Sequence, residues 1–204
     1  MIKRKRALKQ YREIKKLKGD MKLAAEGWKK KWHILISTIL SARTLDETTI
    51  LVSRRLYERY SSLKELGEAD IKEVEKIIYS INFYKNKSKN IVSCAKMLTR
   101  DYNERVPEEY EELIKLPGVG AKTANVFLSE IGKDVIGVDT HVEYISRRLE
   151  WTKHKDPIKI GEALKKLFPK KMWKEVNPNL VRFGKKYTSR RKKNEILDRI
   201  RRIK

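Results

Sequence analysis

A chain of 204 residues has room for one compact domain or a pair of small lobes, and it can bury a core without staples. Its 50 Lys and Arg against 27 Asp and Glu leave a formal charge of +23, which argues against a small neutral substrate and for a polyanionic partner. No window is apolar enough to span a membrane. The single cysteine, Cys94, excludes an internal disulfide and any cysteine-built metal or iron–sulfur site within one subunit. The start, MIKRKRALKQYREIKKLKGD, is basic without an apolar stretch and does not read as a secretory signal. It fits either a solvated basic helix or a direct phosphate contact.

No period-2 pattern is long enough to require a sheet, and the apolar residues recur at helical spacing, so the chain is expected to be all-α. A first helix is expected over Lys9 to Lys18, before Gly19. A more apolar and central one runs from Trp28 to Ala42 through Ile34, Leu35, Ile36, Ile39 and Leu40. Thr48 to Tyr60, Ile71 to Ser80 and Lys87 to Leu98 follow, with a change of direction at Ser61, Ser62 and Gly67. In the last of these helices Cys94 reads as a small buried residue. Pro107 suits a first turn, and Glu108 to Leu116 forms a short helix stopped by LPGVG. Another helix begins after Gly120 and runs toward Ile131, with Gly132 as terminator. Thr140, three residues before Glu143, fits a capping box that opens a helix through Ile145 and Leu149 and leaves Asp139 free of the cap. After a KHKDP linker, helices are expected near Ile160 to Phe168, Leu180 to Tyr187 and Lys193 to Ile203. From Arg182 to Lys204 there are 11 basic residues and two acids, Glu195 and Asp198, which favours nucleic acid as the partner.

The most informative segment is Leu116-Pro117-Gly118-Val119-Gly120-Ala121-Lys122-Thr123-Ala124. Two glycines in a five-residue link allow backbone geometry closed to other residues, and the helix that follows offers unpaired amides to a phosphate. An LPGVG link also serves as a plain helix connector. Lys122, in the first turn beyond it, would face a bound backbone as either a nucleophilic amine or an ordinary phosphate contact. Asp139 lies 17 residues further on. It could assist amine activation or stabilise positive charge developing on a sugar, and its other reading is an N-cap.

Four segments together, LISTILSARTLD (Leu35 to Asp46), INFYKNKSKNI (Ile81 to Ile91), LPGVGAKTAN (Leu116 to Asn125) and VDTHV (Val138 to Val142), resemble the endonuclease III branch of the helix-hairpin-helix DNA glycosylase superfamily. The resemblance implies a two-lobed all-α fold. Residues 24–133 would form a helical barrel lobe, and residues 1–23 with 134–204 a second lobe. It implies a bifunctional DNA glycosylase and abasic-site lyase that flips an oxidised or otherwise damaged pyrimidine out of duplex DNA. Lys122 matches the family's Schiff-base nucleophile and Asp139 its catalytic aspartate, with beta-elimination to follow.

The hairpin residues Leu116, Pro117, Gly118, Val119 and Gly120 would bind DNA. Arg43 stands where the family commonly uses a glutamine to fill the vacated stack, and Phe83 aligns with a leucine wedge; Arg43 could equally bind phosphate and Phe83 pack in the core. Lys87 is expected as a phosphate contact, and His141 either orients the pocket or packs within its helix. At Ser189, where many relatives place the first of four cluster-ligating cysteines, this chain departs, and Arg190, Arg191, Lys192 and Lys193 are expected to take over part of that DNA-binding surface. The chemistry requires no metal or organic cofactor. A monomer acting on damaged or abasic double-stranded DNA, in the cytoplasm or nucleoid of a prokaryote, is the expectation. Uracil or mismatched-thymine excision is the nearest enzymatic alternative, and a noncatalytic lesion-binding or architectural protein is the other class.

Overall fold

The computed structural model describes residues 4–204, so Met1 to Lys3 of the basic start lie outside the described residues. Every regular element among them is helical: α1 (Arg4–Leu17), α2 (Lys31–Ser41), α3 (Asp46–Arg59), α4 (Leu63–Gly67), α5 (Ile71–Ile78), α6 (Tyr84–Asp101) and α7 (Tyr110–Leu113), then α8 (Ala121–Glu130), α9 (Thr140–Arg148), α10 (Pro157–Leu167), a 3-10 turn (Lys170–Met172), α11 (Trp173–Lys186) and α12 (Arg190–Arg201). Two compact units result. One comprises Lys22–Phe127; the other joins the chain up to Met21 with Leu128–Lys204, so the division falls inside α8. No helix among the described residues is long and apolar enough to cross a membrane.

In the unit Lys22–Phe127, α2 is buried on nearly every side, as its run of apolar residues demands. Its two central polar residues are satisfied within the core. Ser37 Oγ bonds the hydroxyls of Ser53 at 3.1 Å and Tyr57 at 2.7 Å, and Thr38 Oγ1 donates to the Ile34 carbonyl at 2.7 Å. Helices α3 and α6 pack on α2, and α4 and α5 pack on α6. Cys94, on α6, is fully buried, and burial pushes its thiol up to about 12, so it acts as a small apolar filler. The short α4 occupies the stretch expected to be a simple change of direction. Ser62 accepts from the Glu65 amide at 3.1 Å while the Glu65 carboxylate takes the amide of Ser61, one residue before the cap, at 2.7 Å, a variant of the capping box that supports even one turn of helix.

In the other unit, α1, α9, α10, α11 and α12 surround a core that includes Tyr11, Val142, Ile145, Trp151, Phe168 and Phe183. The aromatic contacts Tyr11–Phe168 and Trp151–Phe168, at 5.2 and 5.1 Å between ring centroids, tie α1 and the segment after α9 to the end of α10. Helix α11 starts at Trp173, seven residues before the expected start at Leu180, and carries Pro178 inside it. A proline there removes a backbone donor at a cost of roughly 3 kcal/mol. Tertiary bonds on both sides offset that cost: Asn177 Nδ2 donates to the Gly137 carbonyl at 2.9 Å, and Asn179 Nδ2 to the Tyr11 hydroxyl at 2.7 Å.

Candidate functional site

In the unit Lys22–Phe127, the chain leaves α7, turns through Leu116-Pro117-Gly118-Val119-Gly120 and enters α8. Leu116 and Val119 are buried and anchor the turn, so they reach a ligand through their backbone alone. The two glycines have different reasons to be there. Gly118 has φ +79°, and a Cβ on it would lie 2.9 Å from Asn90 Cβ and 3.3 Å from Ile39 Cγ2; packing on α6 and α2 demands glycine. Around Gly120 nothing lies within 4 Å of such a Cβ. Its carbonyl accepts the Ala124 amide at 3.0 Å, which makes it the cap position of α8. A cap without a side chain leaves the first amides of α8 open to an anion. Lys122 follows as the second residue of α8, exposed.

The same unit brings Arg43 and Phe83 together. Both are exposed and left-handed, with φ 56° and 61°, and the Arg43 guanidinium lies over the Phe83 ring at 5.6 Å. Left-handed backbone costs a non-glycine residue about 1–3 kcal/mol. Phe83, at 58% exposure, is not a core residue, which removes the core-packing alternative. Lys87 is corrected by the structure: it is a buried cap for the end of α2, not a phosphate contact. Its Nζ donates to the carbonyls of Leu40 at 2.7 Å and Ala42 at 2.6 Å and lies 3.4 Å from Thr44 Oγ1, while burial pulls its ammonium down to about 8.

In the other unit, α9 opens at Asp139 rather than at the expected Thr140 cap. Asp139 Oδ1 accepts from the Val142 amide at 2.8 Å, and Thr140 is already the first helical residue. Asp139 reaches one residue further back than the capping-box reading allowed, and a half-buried carboxylate is an excellent N-cap. His141 packs on α11: a Cβ on Gly184 would stand 2.3 Å from His141 Nδ1, so glycine is what admits the ring.

At α12, Ser189 Oγ caps the Lys192 amide at 3.4 Å, and Arg190, Arg191 and Lys192 are exposed in the first turn, with Lys193 partly buried and its ammonium pulled down by that burial. Four cations at a helix N-terminus oppose the macrodipole, a placement that an anionic partner would reverse. The four-cysteine cluster of many relatives does not fit here. Ser189 is a helix cap, the one cysteine is buried in α6, and no group of three or more His, Cys, Asp or Glu among the described residues could hold a metal ion.

Comparison with known proteins gives these features a family. Residues 36–170 match the HhH-GPD superfamily base excision DNA repair protein model. Endonuclease III of Thermotoga maritima is 43% identical over 156 residues, covering 76% of this chain and 73% of that protein. Endonuclease III-like protein 1 of Gallus gallus is 35% identical over 158 residues, covering 76% and 56%. Relatives in bacteria and in animals alike mean that the similarity does not support the expected prokaryotic source. Among solved structures, a non-covalent endonuclease III–DNA complex matches with TM-score 0.82 and 33% identity, and a trapped endonuclease III–DNA covalent intermediate with 0.81 and 34%; each covers 93% of this chain and 89% of the solved one. The chain therefore belongs to the HhH-GPD superfamily of base excision DNA repair proteins, on its endonuclease III-like branch.

Proposed function

We propose that this protein is a bifunctional DNA glycosylase and abasic-site lyase that removes oxidised or ring-saturated pyrimidines from double-stranded DNA, working as a single chain. The observation that carries the reading is Lys122: an exposed amine in the first turn of α8, immediately after a hairpin whose side-chain-free cap leaves amides open for the backbone phosphate. Held on such a grip, the amine stands beside the sugar rather than the base.

The Lys122 amine attacks C1′ of the flipped nucleotide. The glycosidic C–N bond breaks, and the base departs with the electron pair and acquires a proton. Opening of the sugar ring gives an imine between Nζ and C1′. Loss of a C2′ proton then expels the 3′ phosphate by beta-elimination, and water releases the lysine. Asp139 keeps Oδ2 outside its helix cap, and we assign that oxygen the role of stabilising positive charge on the sugar or receiving the proton shed by the amine. The Arg and Lys side chains in the first turn of α12 supply sequence-independent affinity for the phosphate backbone.

The test is borohydride reduction of the imine on duplexes carrying thymine glycol, dihydrouracil, uracil or an abasic site. Wild type is expected to give a covalent adduct on a damaged pyrimidine and Lys122→Ala none. An adduct undiminished in Lys122→Ala overturns the nucleophile assignment. Trapping on the abasic site alone overturns the glycosylase half.

A further inference from the structure

The loop after α2 and the loop before α6 are joined in a way that the lesion chemistry itself does not call for. Lys87 lies four residues after Phe83 on α6, and its backbone amide donates to the Phe83 carbonyl at 3.0 Å. Its side chain crosses to the other loop, where the ammonium meets the carbonyls of Leu40 and Ala42 on either side of the end of α2, with Thr44 Oγ1 beyond. Between Ala42 and Thr44 stands Arg43. Asn82 adds a second tie, its amide donating to Thr44 Oγ1 at 3.2 Å and its side chain to the Arg43 carbonyl. One buried cation thus holds both left-handed residues, and the guanidinium and the aromatic ring they carry are stacked outside the fold.

We propose that Lys87 is a positioning residue, whose ammonium locks the loop of Arg43 to the helix of Phe83 so that the stacked pair enters the DNA as one preassembled block at the place of the flipped nucleotide. This rests on the lesion-processing reading above. The physical case is preorganisation. A guanidinium and a phenyl ring are both flat enough to replace a base in a stack. Two separately mobile side chains would have to be ordered in the complex, whereas here the ordering is already done by folding. Removing the ammonium leaves three acceptors around a buried hole and frees Arg43 to relax out of its left-handed conformation, which separates it from Phe83. A misplacement of about 1 Å near a reacting site is worth up to about 10²-fold in rate.

The experiment compares wild type, Lys87→Met, Phe83→Ala and the double variant, all shown by thermal denaturation to be folded. One probe duplex carries a tetrahydrofuran residue, an uncleavable abasic analogue, opposite 2-aminopurine, whose fluorescence rises when insertion unstacks it; a second carries thymine glycol for single-turnover excision. Lys87→Met is expected to lose the fluorescence rise to the same extent as Phe83→Ala, and to slow excision by about 10²-fold. In the Phe83→Ala background the same change is expected to cost less than about threefold, because the block it positions is already gone. Equal losses in both backgrounds would make Lys87 a general support of the fold and overturn the proposal, as would a Lys87→Met protein indistinguishable from wild type or a wild type that gives no fluorescence rise. Should Lys87→Met fail to fold, Asn82→Ala, an exposed change at the second tie, is expected to lower the fluorescence rise, and its failure to do so overturns the proposal. A wild type that inserts but excises nothing refutes the lesion-processing reading and leaves the positioning role to be decided by the fluorescence cycle.

Discussion

Substituting alanine at Gly118 and at Gly120, two positions apart in one turn, is expected to separate folding from binding. At Gly118 the left-handed backbone, φ +79°, costs an alanine about 1–2 kcal/mol. The new methyl would also sit 2.9 Å from Asn90 Cβ, well inside ordinary carbon contact, and moving α6 or the turn to relieve it adds about 1–3 kcal/mol. Together these amount to about 2–5 kcal/mol, or a fall of roughly 5–15 °C in melting temperature for a chain of this size. At Gly120 no atom lies within 4 Å of the added methyl, so the expected cost is only that of the poorer N-cap alanine makes, about 0.5–1 kcal/mol and well below the loss at Gly118. There the methyl projects into open space at the start of α8, where it would crowd a phosphate drawing up to the first amides of that helix. Loss of one charge-assisted contact to phosphate, about 1.5–3 kcal/mol, weakens DNA binding about 10- to 100-fold. Differential scanning calorimetry and fluorescence anisotropy with an abasic-analogue duplex at fixed salt read the two effects. Equal melting losses for the two variants, or wild-type affinity in Gly120→Ala, would refute the division of labour.

Two further outcomes are expected. Asparagine caps a helix as well as aspartate does, so Asp139→Asn is expected to melt like wild type and to bind DNA while losing lesion processing, whereas Asp139→Ala also loses about 1 kcal/mol with the cap; single-turnover cleavage by Asp139→Asn at the wild-type rate would reject a chemical role for the carboxylate. His33 stacks on Tyr57 at 3.9 Å, its Nε2 lacks a hydrogen-bond partner among the described residues, and burial, helped by the Lys30 ammonium, pulls its imidazole down to about 4. The unfolded chain takes up that proton near its ordinary value of about 6.5, the folded one only near 4, so this residue makes stability fall as pH drops through that window, with a limiting slope of about 1.4 kcal/mol per pH unit. Urea unfolding between about pH 6.5 and 5 should show a shallower loss in His33→Gln than in wild type, and parallel slopes would rule the linkage out.

The helical class and the hairpin were legible because their signals are local: apolar residues at helical spacing, and Gly118 and Gly120 in one short link. Short-range capping chemistry was legible too, but less fully read. Ser62 with Glu65 spells the same capping-box spacing that was read at Thr140 with Glu143, and would have revealed α4; Asp139 sits three residues before Val142, where a cap belongs. What no local pattern carries is a bond made across the sequence. Pro178 stops a helix in any local reading, and only the Asn177 and Asn179 bonds to residues 40 and 168 positions away explain why α11 runs through it. Lys87 is the same case: a lysine in a basic segment reads as a surface charge until Leu40 and Ala42 are seen to surround it.

The C-terminal helix shows how the fold manages where many relatives carry a cluster. Leu197 and Ile200 of α12 are buried against the core of their unit, each contributing about 1.5–3 kcal/mol of apolar burial. Arg148 pairs with Asp198 and Tyr144 with Asn194, fixing α12 along α9. At its far end α1 supplies the missing donors: Arg6 Nε reaches the Ile203 carbonyl at 2.9 Å and Gln10 Nε2 the Arg201 carbonyl at 3.3 Å, satisfying acceptors that a helix terminus leaves open. Packing, ion pairs and donors from the chain's own start thus anchor the segment without metal ligands. That anchoring is what permits the opposite end of α12 to carry Arg190, Arg191, Lys192 and Lys193 in a first turn where they repel one another and the helix dipole. A helix held only by its own propensity would fray there; one fastened by buried leucine and isoleucine can present those cations to a phosphate backbone.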